Sequence, residues 1–145
     1  MIYFDTSYLV RLYFEDPGYE QVRELAATDH VTCAAHGQAE AIAAFHRKFR
    51  EGAIPVRSYR ALLAQFEADN QAEAVRWLPT GPDVMATIRQ VYRDLPSDIY
   101  LRGADAIHLA AAAVHGQRTV YSNDVHLLAA AKRFGVRGEN IIPLP

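Results

Sequence analysis

Cys33 is the only cysteine of the chain. A lone thiol excludes an intramolecular disulfide and any zinc site built on paired thiolates, and it suits a reducing cytoplasm. Long apolar runs are also missing. The most alanine-rich segment, Gly103 to His115, is interrupted by Asp105, His108 and His115, which excludes a membrane span there. The first residues carry no basic stretch, and Asp5 interrupts their first apolar run, so they do not read as a signal peptide. No internal repeat, linker or low-complexity tract divides the chain, and residues 1–145 are expected to form one domain. Nor is there an excess of positive charge: 15 Lys and Arg stand against 17 Asp and Glu, a formal net charge of −2. Tight, sequence-independent binding of duplex DNA is therefore disfavoured, because it needs a basic surface.

What is present is an ordinary globular composition, 50% hydrophobic and 22% charged. Short apolar segments alternate with amphipathic ones, the pattern of an α/β sandwich. Strands are expected at residues 2–5, 30–34, 74–78 and 119–122, with Ile141-Ile142 as a last strand. Helices are expected from Thr6 to about Glu15, Tyr19 to Ala27, Gly37 to Arg50, Pro55 to about Ala68, Asp83 to Asp94, Gly103 to His115 and Val125 to Phe134. Asp16-Pro17-Gly18 breaks the first pair of helices, and Gly135 ends the last one. The helical pair at 37–68, joined by a short Gly-Ala-Ile-Pro turn, is the expected outlying element.

Four acids stand at the opening or early turns of these helices: Asp5, Glu40, Asp105 and Asp124. In an open parallel sheet, ligand sites form beyond the carboxyl ends of the strands, where all four carboxylates can meet. Carboxylates at close range repel one another unless a cation neutralises them. Hard oxygen donors select Mg²⁺ or Mn²⁺, ions that promote phosphodiester hydrolysis. The pattern points to a metal-dependent nuclease. Neutralising the four acids turns the formal charge of −2 into +2, enough for contact with a few phosphates.

Read singly, each acid has a plainer explanation. Asp5 and Asp124 are well placed as helix N-caps. Glu40 can be a solvated helix residue, and Asp105 can answer the helix dipole, although the apolar run after it makes an unpaired carboxylate costly. The conjunction is what distinguishes them. The runs Ile2-Tyr3-Phe4-Asp5-Thr6-Ser7, Ala39-Glu40-Ala41 through Arg47-Lys48, Leu101-Arg102-Gly103-Ala104-Asp105-Ala106-Ile107-His108 and Ser122-Asn123-Asp124 with Gly135 occur in order across nearly the whole chain. Together they resemble the four motifs of PIN-domain ribonucleases, and the chain's size resembles the VapC toxins of toxin–antitoxin pairs.

The resemblance implies a PIN-like three-layer α/β/α sandwich with a central, mostly parallel sheet of four to five strands. It further implies that Asp5, Glu40, Asp105 and Asp124 hold one or two Mg²⁺ or Mn²⁺ ions in an endoribonuclease that leaves a 5′-phosphate and arrests translation. A cognate antitoxin lying across the acidic site and a homodimer are the implied partners, with RNA as substrate, no membrane association and a cytoplasmic setting. Thr6, Ser7 and Ser122 are positioned to hydrogen-bond metal ligands or phosphate. Arg102, and the cluster Arg47, Lys48 and Arg50, read either as a phosphate track or, for the cluster, as cations favoured at a helix C-terminus. His36 and Glu40 are four apart and Asp105 and His108 three apart, so each pair can share a helix face. No His-Glu-x-x-His motif is present; His36 reads as an RNA contact or a helix cap, and His108, His115 and His126 as packing or surface residues. Two other readings compete. One is a non-catalytic PIN scaffold that binds RNA or protein. The other is a phosphatase-type domain with Asp5 as nucleophile, which Ser7 disfavours because that chemistry places a second Asp two residues on.

Overall fold

The computed structural model describes residues 1–143. Five short strands form one sheet: β1 (Ile2–Phe4), β2 (Val31–Ala34), β3 (Val75–Leu78), β4 (Thr119–Tyr121) and β5 (Arg137–Glu139). Their order is β3-β2-β1-β4-β5, and every neighbouring pair is parallel. Such a sheet is covered on both faces, so its central strand reads as unbroken apolar sequence. Ile2, Tyr3 and Phe4 of β1 are all buried. Ile2 and Phe4 join the core on one face and Tyr3 the core on the other, as the two-residue repeat of a strand requires.

Helices α1 (Thr6–Val10), α2 (Tyr19–Ala26), α3 (Gly37–Arg50) and α4 (Val56–Gln71) cover the Phe4 face. The Tyr3 face is covered by α5 (Pro82–Arg93), α6 (Gly103–Val114), α7 (Val125–Ala130) and a 3-10 turn at Ala131–Phe134. The result is the three-layer sandwich, with five strands and every pairing parallel. In α6, Asp105, Ala106 and the residues His108 to Ala112 are all buried; its small side chains let the helix lie close to the sheet. Gly37 starts α3 where a Cβ would come within 2.5 Å of Cys33 Sγ, so the helix leaves β2 at a distance only glycine permits. Because β2 and β4 flank β1 on opposite sides, the chain departs from adjacent strands in opposite directions. That divergence opens a crevice at the carboxyl ends of β1 and β4.

Three expectations need correction. The first helix stops at Val10 rather than near Glu15: Arg11, Leu12 and Tyr13 bond back three residues, and the Arg11 guanidinium holds the carbonyls of Ser7 and Pro17. The last strand is Arg137–Glu139, not Ile141-Ile142. Gly135, at φ +75°, turns the chain so soon after the 3-10 turn that residues 137–139 are the ones reaching β4, while Ile142 packs against the Phe4-face core. Apolar content misleads here because an edge strand tolerates polar residues. The helical pair at 37–68 is less outlying than expected. Phe45 of α3 and Phe66 of α4 are buried in the core, in edge-on contact with each other and with Tyr13.

Phe45 therefore joins α3, α4 and the segment after α1. Phe45→Ala is expected to cost about 3–5 kcal/mol, read as a lower urea midpoint with an unchanged slope.

Candidate functional site

The site begins where β1 ends. The Asp5 N–H still donates to the Tyr121 carbonyl at 3.0 Å, so strand pairing persists through this residue before the chain turns into α1. Its side chain, only 4% of the residue being exposed, caps that helix by accepting from the Tyr8 N–H at 3.1 Å. It also accepts from Ser7 Oγ at 2.6 Å and from the Ser122 hydroxyl. Burial raises the Asp5 pKa; His108 and these hydrogen bonds oppose the rise without cancelling it. The capping role and the site role coincide in one carboxylate.

Glu40 comes from the first turn of α3. Its Oε1 accepts from Thr6 Oγ1 and from His108 Nε2, each at 2.7 Å, and His36 Nε2 lies 3.3 Å away. Burial works to raise the Glu40 pKa, but His108, Thr6 and His36 outweigh it and hold the carboxyl at about 2. His108 is almost wholly enclosed. Its Nδ1 faces Tyr3 Oη at 2.8 Å, and that oxygen accepts from the Ala34 N–H at 3.1 Å. Burial acts against charge on the ring, yet Tyr3, Cys33 and Glu40 together raise its pKa well above the usual histidine value. Tyr3 is itself kept neutral by burial, so the Glu40 carboxylate is the effective partner.

On the other side, Asp105 is 6% exposed and accepts from Arg102 Nε at 2.9 Å. Asp124 caps α7, its Oδ1 accepting from the N–H groups of His126 and Leu127. Its Oδ2 accepts from Arg102 Nη2 at 2.9 Å. One guanidinium thus bridges two carboxylates, a forked geometry that arginine alone supplies.

Asp5, Glu40, Asp105 and Asp124 all line one cleft of about 360 Å³, together with Thr6, Ser7, Arg102 and His108. A second cleft of about 560 Å³ shares Thr6, Ser7, Glu40 and Asn123 with it and continues to Arg11, Arg47 and Arg50. Lys48 is not among the lining residues; it pairs with Asp16, which lines the second cleft, and lies 5.1 Å from the centre of the Phe14 ring. Ser122 is fully buried and touches the cleft residues Asp5 and, at its N–H, Asp124 without lining the cleft itself. The oxygen donors suit a hard divalent ion, and the bridging Arg102 marks where positive charge is accommodated. Among the described residues, the metal-type group whose donor atoms all lie within 4.8 Å of one another is His36, Glu40 and His108; the four acids ring the cleft more widely.

His108 is the residue that sequence reasoning undervalued. Its three-residue offset from Asp105 was visible, but its contacts with Tyr3, Thr6 and Glu40 cross the sheet. Arg11 was equally hidden, because its side chain enters the cleft wall from a segment expected to be regular helix.

A family model for the PIN domain matches residues 2–133. Among solved structures, FitAcB from Neisseria gonorrhoeae is similar with a TM-score of 0.76 and 19% identity, covering 95% of this chain and 96% of that one. VapC20 of Mycobacterium tuberculosis, a sarcin-ricin loop cleaving toxin, has a TM-score of 0.66 and 21% identity, covering 90% and 95%. VapBC2 from Rickettsia felis, bound to a DNA fragment from their promoter, has a TM-score of 0.64 and 13% identity, covering 97% and 98%. No curated protein matches.

The depressed Glu40 pKa has a signed consequence. Its ordinary value is 4.5 and its folded value about 2, so the charged side chain stabilises the fold above pH 4.5. That contribution disappears as pH falls from there toward 2. Glu40→Gln is expected to flatten this part of the acid limb when urea midpoints are compared in chelator-containing buffer. Parallel wild-type and variant curves would refute the Glu40–His108–Thr6 linkage.

Proposed function

The chain belongs to the PIN domain family, and from that premise we propose that it is a metal-dependent endoribonuclease, the toxin of a toxin–antitoxin module. The observation that carries the reading is the meeting of Asp5, Glu40, Asp105 and Asp124, from four separate segments, on one cleft at the carboxyl edge of the sheet. These acids would hold one or two Mg²⁺ or Mn²⁺ ions. When bound, such an ion supplies a water of lowered pKa and neutralises charge on the phosphodiester.

The protein's own groups prepare that chemistry. Ser7, Ser122 and the Tyr8 N–H fix the Asp5 carboxylate from three directions, so it meets a cation without reorganising. Thr6 and His108 do the same for Glu40. Arg102 holds Asp105 and Asp124 together and would give up those carboxylates to a cation held by the four acids. With its side chain more than half exposed, it would then be able to grip a phosphate oxygen at the cleft mouth. Arg47 and Arg50 extend the phosphate path along the adjoining cleft.

RNA is the substrate class favoured by the likeness to VapC20, described as cleaving the sarcin-ricin loop. A cognate antitoxin is supported by the likeness to VapBC2, and the chain's formal net charge of −2 fits a basic partner segment laid across the acids. The proposal takes residues 1–145 as one catalytic domain, acting in the cytoplasm as a homodimer.

Purified, antitoxin-free protein incubated with total RNA and Mg²⁺ or Mn²⁺ tests the reading. Discrete fragments with 5′-phosphate ends are expected, absent with EDTA. In Asp105→Asn their rate of formation should fall at least about a hundredfold, some 2.7 kcal/mol of barrier. Failure of the folded, metal-loaded protein to cleave any RNA would favour a non-catalytic RNA- or protein-binding scaffold. Arg102→Gln is expected to tighten Mg²⁺ binding a few-fold in calorimetry while slowing cleavage about tenfold, because it removes a competitor for the carboxylates and a phosphate contact together.

A further inference from the structure

We propose that His36, Glu40 and His108 form a separate cation site, selective for Zn²⁺ and similar imidazole-binding ions, that draws on Glu40. Two imidazoles and one carboxylate are a ligand set for zinc that leaves a fourth position open. Mg²⁺, by contrast, prefers oxygen donors throughout. His36 precedes α3, Glu40 lies one turn into it, and His108 rises from α6 across the cleft, so three points on two helices define the site.

The spacing fits. Tetrahedral zinc, with bonds of about 2.0–2.1 Å, sets its ligand atoms roughly 3.3 Å apart, and His36 Nε2 lies 3.3 Å from Glu40 Oε1. His108 Nε2 is 2.7 Å from that oxygen, a hydrogen bond that a cation replaces by displacing the Nε2 proton to solvent with a slight opening of the carboxylate. Glu40 keeps a third of its side chain exposed, which leaves the fourth corner to solvent. Metal-bound histidines are oriented through their other nitrogen; here His108 Nδ1 meets Tyr3 Oη at 2.8 Å. His36 Nε2 also lies 3.0 Å from the Ala104 carbonyl, while its Nδ1 is buried with no hydrogen-bond partner, so the ring presents a lone pair to a cation by turning and giving up the Ala104 bond. Thr6 Oγ1 lies 3.3 Å from His108 Nε2 and 2.7 Å from Glu40 Oε1, completing a polar wall.

The binding itself does not depend on the nuclease reading. Its consequence for that reading is competition, since a Zn²⁺ ion that takes Glu40 removes one ligand from the four-acid set.

The test titrates metal-free, full-length protein with Zn²⁺ by calorimetry and with Co²⁺ by visible absorption. Wild type is compared with His36→Ala, His36→Gln and Asp105→Asn, and thermal melts show that each variant is folded. One Zn²⁺ is expected to bind, with affinity at least tenfold weaker in both His36 variants, about 1.4 kcal/mol, and unchanged in Asp105→Asn. Co²⁺ should give the intense bands of a four-coordinate site only when His36 is present, and Mg²⁺ affinity should be the same in wild type and the His36 variants. No Zn²⁺ binding, equal binding in the His36 variants, or loss of binding in Asp105→Asn would overturn the proposal. Absence of RNA cleavage would leave the binding result standing and count only against the nuclease.

Discussion

The burial of Asp5 at the end of the central strand is the constraint around which the molecule is arranged. A carboxylate that is almost wholly enclosed must be given hydrogen bonds or it destabilises the fold. The groups that satisfy it come from two segments: Ser7 and the Tyr8 N–H from α1, and Ser122 from just beyond β4. Ser122 in turn accepts from the Asp124 N–H at 2.9 Å, which carries the arrangement into α7. The polar seam therefore joins the segments on either side of the crevice. A rigid scaffold with its acids preset is what a site built for charged ligands requires.

Much of this was legible beforehand because it is local. The strand Ile2–Phe4 announces itself by three consecutive buried apolar residues, and α3 matches its expected bounds, Gly37–Arg50, because glycine opens it and a basic last turn closes it. The four acids were legible for the same reason: each follows a strand or opens a helix, and parallel topology gathers such positions at one edge. What was not legible is long-range. Nothing adjacent to Tyr3 or His108 foretells a hydrogen bond between residues 105 positions apart. Likewise the Arg102 bridge needs Asp105 and Asp124 to face each other. The final strand was misplaced for a further reason: Arg137-Gly138-Glu139 contains no strand-favouring residue, and pairing with β4 decides its conformation. Gly138 sits close to α7: a Cβ there would lie 2.9 Å from Leu128 Cδ2, 3.1 Å from Ala131 Cβ and 3.2 Å from Leu128 Cα.

The two adjoining clefts differ in charge. Four acids against Arg102 line the first, while Arg11, Arg47 and Arg50 outnumber Asp16 and Glu40 in the second. A polyanion approaching such a surface is repelled at one end and attracted at the other, so it is oriented before it makes close contact. The chain's nearly balanced total charge conceals this separation. Local arrangement, and not net charge, governs what the surface attracts.

The two edges of the sheet are closed to growth. β5 spans three residues, and its two charged side chains pair with each other at 2.7 Å, which leaves little backbone to template another strand. β3 presents Arg76 outward and is preceded by Glu73, whose positive φ of 54° ends regular extension. Short, charged and kinked margins of this kind resist edge-to-edge polymerisation. They steer any self-association away from the strand edges and leave the five-stranded sheet intact.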